Sequence, residues 1–358
     1  MNECFFANYT IGKDAYKNIS NVCLPLGRRV LILGGETALS KSIDKLKSEM
    51  GDFEIVDCVV YGKECTRKKT QDFYEKYKDK NIDFIMGVGG GKALDTSKGT
   101  AELLGVPIVT VPTIASTCAA SSAISIMYTD DHVFDGGWNL KKPAYHIFID
   151  TEIIMNSPDE FFIAGIGDTL AKYYEIEFST RKNEKSFNDE TAISLSRMCN
   201  TPLINSALCA IKDKKSRKLS SELECVLLIV LVSTGMVSML VNDKYNGAVA
   251  HSLFYGLTAI EGFEEKFRHG DVIGYTTIVQ LVLDNQIEDA EKIAELVKNM
   301  GVETTLAERG IKTDYDTLEK VINLTLENRY IESAPYTITK DMLYDAIIKT
   351  EELFGGNK

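Results

Sequence analysis

The sequence predicts an α/β domain built on a parallel sheet, followed by an all-α domain. Three observations predict it. Short apolar, β-rich runs alternate with helical stretches of about ten residues through the first half, the pattern of βαβ units. Strand signals fade near Asn156-Ser157-Pro158, and beyond it only helical periodicity continues. Small-residue clusters close three of the apolar runs, at Gly34-Gly35, at Gly89-Gly90-Gly91 and at residues 113–117. The boundary falls at residue 157, giving domains of residues 1–157 and 158–358.

In chain order, residues 29–33 form a strand ending at Gly34-Gly35, and 40–50 carry helical periodicity. Residues 53–60 are β-rich and 66–78 form a polar helix. A strand over 83–88 leads into a helix over 92–104, and 107–111 is a further strand. Residues 125–128 and 146–149 read as two more. Parallel sheets bind ligands outside the carboxyl ends of their strands, so the three clusters are expected along one edge. Helical patterns then cover 160–178, 189–210, 220–241, 245–260, 271–283, 290–300, 317–326 and 340–353. Ser157-Pro158-Asp159-Glu160 is a helix start with proline just inside the first turn.

Glycine permits positive φ and close backbone approach, and the N–H groups of a following helix can face an anion. The triplet at 89–91 follows an apolar run and precedes a helix, which suits a phosphate cradle. Its spacing is neither GxGxxG nor GxxxxGK[ST], so by itself it is equally a tight strand-to-helix corner.

The formal net charge of −12 argues against a nucleic-acid or anionic-membrane partner. No run of 18 apolar residues is found and the N-terminus lacks a signal-peptide pattern. Eight cysteines, none in CxxC, read as reduced and mostly buried thiols, which suits a cytoplasmic protein with a small-molecule substrate. Among four histidines, His132 reads as an exposed turn residue and His146 as a strand start. Trp138 beside Gly136-Gly137 is expected to pack a hairpin, and the charged run 212–218 to be a solvated interhelix loop.

Asp168 and His251 lie in apolar or small-residue helical contexts, and His269 in Phe267-Arg268-His269-Gly270. A buried charged group needs a partner. One carboxylate and two imidazoles suit a catalytic Zn²⁺ or Fe²⁺ site, while hydrogen-bonded core residues are the alternative. Their long separations form no local metal motif.

Gly-Val-Gly-Gly-Gly-Lys-Ala-Leu-Asp-Thr-Ser-Lys at 87–98, Val-Pro-Thr-Ile-Ala-Ser-Thr at 111–117, and the Asp168, His251 and His269 segments follow in order. Together they resemble the glycerol-dehydrogenase branch of the iron-containing (group III) alcohol dehydrogenases, from about residue 10 to the C-terminus. The resemblance implies a nucleotide-binding α/β domain and a helical metal-binding domain, a two-domain plan shared with dehydroquinate synthase-like proteins. It implies NAD or NADP, one divalent ion (Zn²⁺ or Fe²⁺), and a homo-oligomer. By position, Asp168, His251 and His269 resemble the metal ligands. Gly89, Gly90, Gly91, Lys92 and Asp95 resemble the pyrophosphate side, and Thr113, Ser116, Ser122, Ile124 and Tyr128 further cofactor contacts.

Two positions depart from the pattern. Cys118 stands where glycerol dehydrogenases carry an aspartate that contacts the polyol, and Ser116-Thr117-Cys118-Ala119-Ala120 looks like the hydroxycarboxylate-dehydrogenase relatives. Gly35 stands where NAD-preferring members place Asp on the ribose 2′-hydroxyl, leaving room for a 2′-phosphate. Neighbouring Glu36 would repel that phosphate unless it points away, and Lys41 could offset it. The implied activity is metal-assisted hydride transfer between a nicotinamide and a small alcohol or carbonyl compound, either a polyol or a 2-hydroxy/2-oxo acid. Glycerol-1-phosphate dehydrogenase, a dehydroquinate synthase-like carbocycle-forming lyase and a non-catalytic nucleotide-binding protein are the rival expectations.

Overall fold

A computed structural model describes residues 5–131 and 134–355; His132 and Cys4 lie outside the described residues. The chain divides into two compact units. The first extends to Phe161 and takes in Arg217–Leu219; the second comprises Phe162–Ser216 and the residues from Ser220 on.

The first unit contains strands β1 (Asn8–Ile11), β2 (Arg29–Gly34), β3 (Glu54–Val60), β4 (Phe84–Gly89), β5 (Ile108–Pro112), β6 (Ile124–Tyr128), β7 (Phe134–Asn139) and β8 (His146–Ile149). Between them run helices α1 (Ile19–Cys23), α2 (Glu36–Glu49), α3 (Arg67–Tyr77) and α4 (Gly91–Leu104), with α5 (Thr151–Asn156) after β8. Six strands pair in parallel in the order β1-β8-β5-β4-β2-β3. Their inward residues, including Val30, Ile32, Phe84, Met86, Val109 and Phe148, share one buried apolar cluster. Polar side chains cap helix starts locally. Thr66 accepts from the Lys69 N–H at the start of α3, and Asp150 accepts from Glu152 and Ile153 at the start of α5.

The order reverses at β2. The chain crosses from β2 to β3 on one side, then returns to place β4 on the other. The carboxyl ends of β2 and β4 therefore flank a topological switch point, where open α/β sheets bind ligands.

One strand assignment needs correction. Residues 125–128 do not join the parallel sheet; β6 pairs antiparallel with β7 in a separate hairpin. Its alternation of half-buried and buried residues covers α4 on one side only. Trp138 packs there as expected, its ring against Gly99 of α4.

Among the described residues the second unit is helical: α6 (Asp159–Thr180), α7 (Phe187–Ser196), α8 (Thr201–Lys215), α9 (Ser221–Leu228), α10 (Thr234–Leu240), α11 (Val249–Leu257), α12 (Phe263–Lys266), α13 (His269–Leu283), α14 (Ile287–Asn299), α15 (Tyr315–Glu327) and α16 (Lys340–Phe354). Three expected helices are interrupted. The 189–210 pattern breaks at a 3₁₀ turn, Arg197–Cys199, because Pro202 in the first turn of α8 cannot donate to a preceding carbonyl. The 220–241 pattern contains a π-turn, Ile229–Ser233, and the Thr234 hydroxyl donates to the Ile229 carbonyl at 2.9 Å. The 245–260 helix begins only at Val249, after a 3₁₀ turn and Gly247.

Ser221–Leu240 is long and apolar enough to cross a membrane by length and composition alone, although Glu222, Glu224, Ser233 and Thr234 interrupt it. It spends that surface inside the unit, against α8, with Leu223, Val226, Leu227 and Val230 buried. The run 212–218 is only in part a solvated loop: it begins as the last turn of α8, where Asp213 and Lys214 are buried, and Ser216, Arg217 and Lys218 then lie exposed before α9. The described cysteines form no disulfide, but only Cys23, Cys65 and Cys199 are buried, fewer than expected.

Candidate functional site

In the first unit the expected cofactor residues collect at the switch point. Gly89 ends β4 with φ +145°, a backbone state that L side chains avoid, and a Cβ there would lie 2.8 Å from that of Ala93 and 3.5 Å from the Gly35 nitrogen. Gly35 and Gly90 are the N-caps of α2 and α4, and neither supplies a side-chain cap. Two helix N-termini thus open side by side, their first amides available to an anion. The Thr113 N–H donates to the Gly89 carbonyl at 3.1 Å, bringing the 113–117 segment alongside. A Cβ on Gly91 would meet the Thr117 hydroxyl at 3.3 Å. Ser116 and Cys118 are half-buried in the same segment, Cys118 opening a short 3₁₀ turn, Cys118–Ala120.

Other expected contacts are engaged within the unit. The Lys92 ammonium lies 2.7 Å from the buried Glu64 carboxylate and 4.6 Å above the Tyr128 ring. Asp95 faces inward, 2.8 Å from the Lys98 ammonium, and accepts the Ile126 N–H at 3.1 Å. Lys98, itself buried, donates to the carbonyls of Ser122 and Ile124. These bonds fasten the β6–β7 hairpin, with Ser122, Ile124 and Tyr128, to α4. Glu64 and Lys98 were not singled out in the sequence; a lysine three residues from an aspartate on one helix was the available signal for the latter.

In the second unit Asp168, His251 and His269 converge. The Asp168 Oδ1 lies 3.5 Å from Nε2 of His251 and 3.2 Å from Nε2 of His269. One ligand atom from each of the three falls within 4.8 Å of the others. Asp168 is on α6, His251 on α11, and His269 is the first residue of α13. What brings α6 and α13 together is glycine. A Cβ on Gly270 would lie 1.8 Å from the Ala164 carbonyl oxygen, and one on Gly167 would lie 2.3 Å from the Gly270 carbonyl. The two backbones touch at the residues next to Asp168 and His269.

His251 is oriented from behind. Its Nδ1 is 2.6 Å from Glu175 Oε2, and its backbone N–H and that of Ala248 both donate to Glu175 Oε1, at 2.9 and 2.8 Å. Glu175 sits two turns after Asp168 on α6, so both carboxylates point to one face. That i, i+7 spacing was a legible but unused signal. Lys172 on the same helix donates to Asn246, just before α11.

Electrostatics follow from this packing. Burial opposes the charge on Asp168, but hydrogen bonds and positive charge from His251 and His269 hold its carboxyl well below the usual carboxylate range. Burial disfavours protonated His251, yet Glu175 and Asp168 raise its pKa to about 9. Burial likewise opposes the charge on Glu175, and His251 lowers its pKa nonetheless.

The donor set fits a divalent ion. Two ligands ~2.1 Å from a tetrahedral centre stand ~3.4 Å apart, close to the spacings around Asp168. Three protein ligands of O, N, N type with a carboxylate behind one imidazole are the pattern of a catalytic site with an open position, accepting Zn²⁺ or Fe²⁺. Such an ion requires neutral imidazoles, so it competes with protons for His251.

The model of the iron-containing alcohol dehydrogenases matches residues 7–148. The chain is 31% identical over 335 residues to hydroxycarboxylate dehydrogenase A of Escherichia coli (strain K12), covering 90% of this chain and 89% of that protein. It is 29% identical over 353 residues to a glycerol dehydrogenase of E. coli O6:H1 (strain CFT073), covering 96% and 95%. The crystal structure of glycerol dehydrogenase from Schizosaccharomyces pombe aligns with a TM-score of 0.89 at 26% identity, covering 100% of this chain and 94% of that one. The chain belongs to the iron-containing alcohol dehydrogenase family, metal-dependent oxidoreductases that act on CH–OH groups with a nicotinamide cofactor.

Proposed function

We propose that Asp168, His251 and His269 hold the divalent ion, and that Gly35, Gly89, Gly90, Gly91 and the first turn of α4 receive the cofactor pyrophosphate. The observation that carries this reading is the meeting of three ligand atoms with Glu175 locked behind one of them. When bound, the ion supplies Lewis acidity to a substrate oxygen, and the nicotinamide gives or takes a hydride. Glu175 fixes the His251 tautomer with Nε2 toward the centre, since Nδ1 is taken by the carboxylate. Asp168 stays ionised and contributes the one negative charge among the ligands. The α4 amides orient the dinucleotide without a side-chain cap competing for them.

Within this chemistry we propose a 2-oxo acid and its 2-hydroxy counterpart as substrate pair. Cys118 replaces a carboxylate by a thiol in the 113–117 neighbourhood, removing repulsion against an anion. The 31% identical relative named hydroxycarboxylate dehydrogenase A supports the same class. The glycerol dehydrogenase relatives support a polyol instead, and the assay separates the two. We place the enzyme in the cytoplasm, in keeping with described cysteines that form no disulfide, and as a homo-oligomer from the family resemblance.

The test follows nicotinamide absorbance with 2-oxobutyrate, glycerol and an aldehyde, each with both cofactors, before and after metal depletion. Metal-dependent turnover favouring 2-oxobutyrate is expected. Preference for glycerol would overturn the acid assignment, and unchanged metal content in His269→Ala would overturn the ligand set.

A further inference from the structure

Arg309 lies in the connection between α14 and α15, and its side chain is only 1% exposed. Its Nη2 donates to the carbonyls of Asp271 at 3.0 Å and Glu303 at 2.8 Å, and its Nη1 pairs with Glu303 Oε2 at 3.1 Å. The guanidinium lies 5.5 Å from the centre of the Phe267 ring and 6.0 Å from that of Tyr275. Phe267 and Asp271 stand two residues before and two residues after His269. One rigid fork therefore touches both flanks of the turn that presents this imidazole.

The two histidines differ in how they are held. His251 is gripped by a buried carboxylate through its ring and its backbone. The His269 side chain is 36% exposed and packs on Phe254 with ring centres 4.3 Å apart, so apart from the contact of its Nε2 with Asp168 its aim depends on its own turn. Burying a guanidinium is costly, and an apolar residue of similar volume often stabilises a fold as well or better. Glu303, the partner carboxylate, is itself 47% exposed, which leaves the ion pair a weak reason for the burial.

We infer that Arg309 is a positioning residue for the metal centre, holding His269 in place through the Asp271 carbonyl and the Phe267 ring. This rests on the reading that His269 is a ligand. Lysine is no substitute: a point charge cannot serve two carbonyls in fixed directions while stacking on a ring. Outer-shell groups of this kind commonly change metal affinity 10–100-fold.

The experiment uses the full chain, stripped of metal and titrated with Zn²⁺ against a chelating indicator. Arg309→Met is expected to weaken zinc binding at least tenfold, and Arg309→Lys to restore only part of that loss. Glu303→Gln, which keeps both carbonyl bonds, should stay within twofold of the wild type. If Arg309→Met does not fold, Arg309→Lys decides. Wild-type zinc affinity in the folded arginine variants, with only a lower melting temperature, would overturn the inference. His269→Ala runs in parallel: if it too binds zinc normally, the ligand assignment itself has failed, a separate result.

Discussion

Glu175 binds His251 twice, once through the imidazole Nδ1 at 2.6 Å and once through the backbone N–H at 2.9 Å. The same carboxylate that selects the tautomer also fixes the turn. Glu175→Gln places an amide where two acceptor oxygens are needed, so one contact becomes donor against donor. Metal affinity should fall 10–100-fold, measured by chelator competition. An unchanged affinity would mean that the tautomer is set elsewhere.

Gly270 and Gly274 offer a contrast within α13. Gly270→Ala drives a Cβ to 1.8 Å from the Ala164 carbonyl, which backbone cannot yield. We expect a loss of about 3 kcal/mol or more in urea unfolding, with metal release. Gly274→Ala makes ordinary contacts, with the Val297 methyls at 3.4 and 3.8 Å and the Gly167 Cα at 3.9 Å, and helix propensity favours it by about 1 kcal/mol, so it should be neutral or stabilising. Equal effects from the two would show that helix contact at Gly270 is not what joins Asp168 to His269.

Gly35 bears on cofactor choice. A Cβ there makes ordinary contacts, 3.7 Å to Ala38 and 3.8 Å to Tyr61, and its φ of −74° suits any residue. Gly35→Asp is therefore expected to fold, to offer an acceptor to a ribose 2′-hydroxyl and to repel a 2′-phosphate. Fluorescence titration should show NADH tightening and NADPH weakening by about tenfold each, an electrostatic change of ~1.4 kcal/mol. Parallel changes for both cofactors would place the ribose away from α2.

His146, at the start of β8, is buried with Nε2 2.8 Å from the Thr10 hydroxyl. Burial lowers its pKa from 6.5 to about 4. Between those values the unfolded imidazole binds a proton that the folded one does not. Its contribution is thus complete above pH 6.5 and lost as pH falls through about 4, with a slope of at most about 1.4 kcal/mol per pH unit. His146→Gln can keep the Thr10 bond without titrating, and should flatten urea-derived stability across this window. An unaltered slope would assign the acid sensitivity to other groups.

Most of the parallel sheet was legible because β2 and β4 are short apolar runs closed by glycine and β5 and β8 are apolar as well, each a local signal; β1, with Asn8, Tyr9 and Thr10, carries no such signal and was not read. Gly35, Gly89 and Thr113 could be placed on one edge for the same reason. The β6–β7 hairpin was not separable from the sheet, since Ile124, Ile126 and Tyr128 have the same composition as a sheet strand and only pairing distinguishes them. Asp168, His251 and His269 could be nominated from their helical contexts, but core residues stayed the alternative until the resemblance pointed to ligands, because no spacing links residues brought together by two glycine backbones in contact. Glu175, Glu64 and Arg309 escaped because a charged residue on a helix or loop reads as solvated until tertiary packing buries it. The break at Pro202 was in plain view, but the helical periodicity on both sides outweighed it.

The helix that carries His251 has no cap of its own. Ala248 contributes no side-chain bond, and the amides of Ala248, Ala250 and His251 are taken by Glu175 from α6 and Gln280 from α13. A nine-residue segment of this kind is marginal in isolation. The first turn of α11 is thus completed by groups from α6 and α13, so the placement of this ligand depends on both. Slow amide exchange at these three positions would then report complete assembly of the centre, before any ion is added.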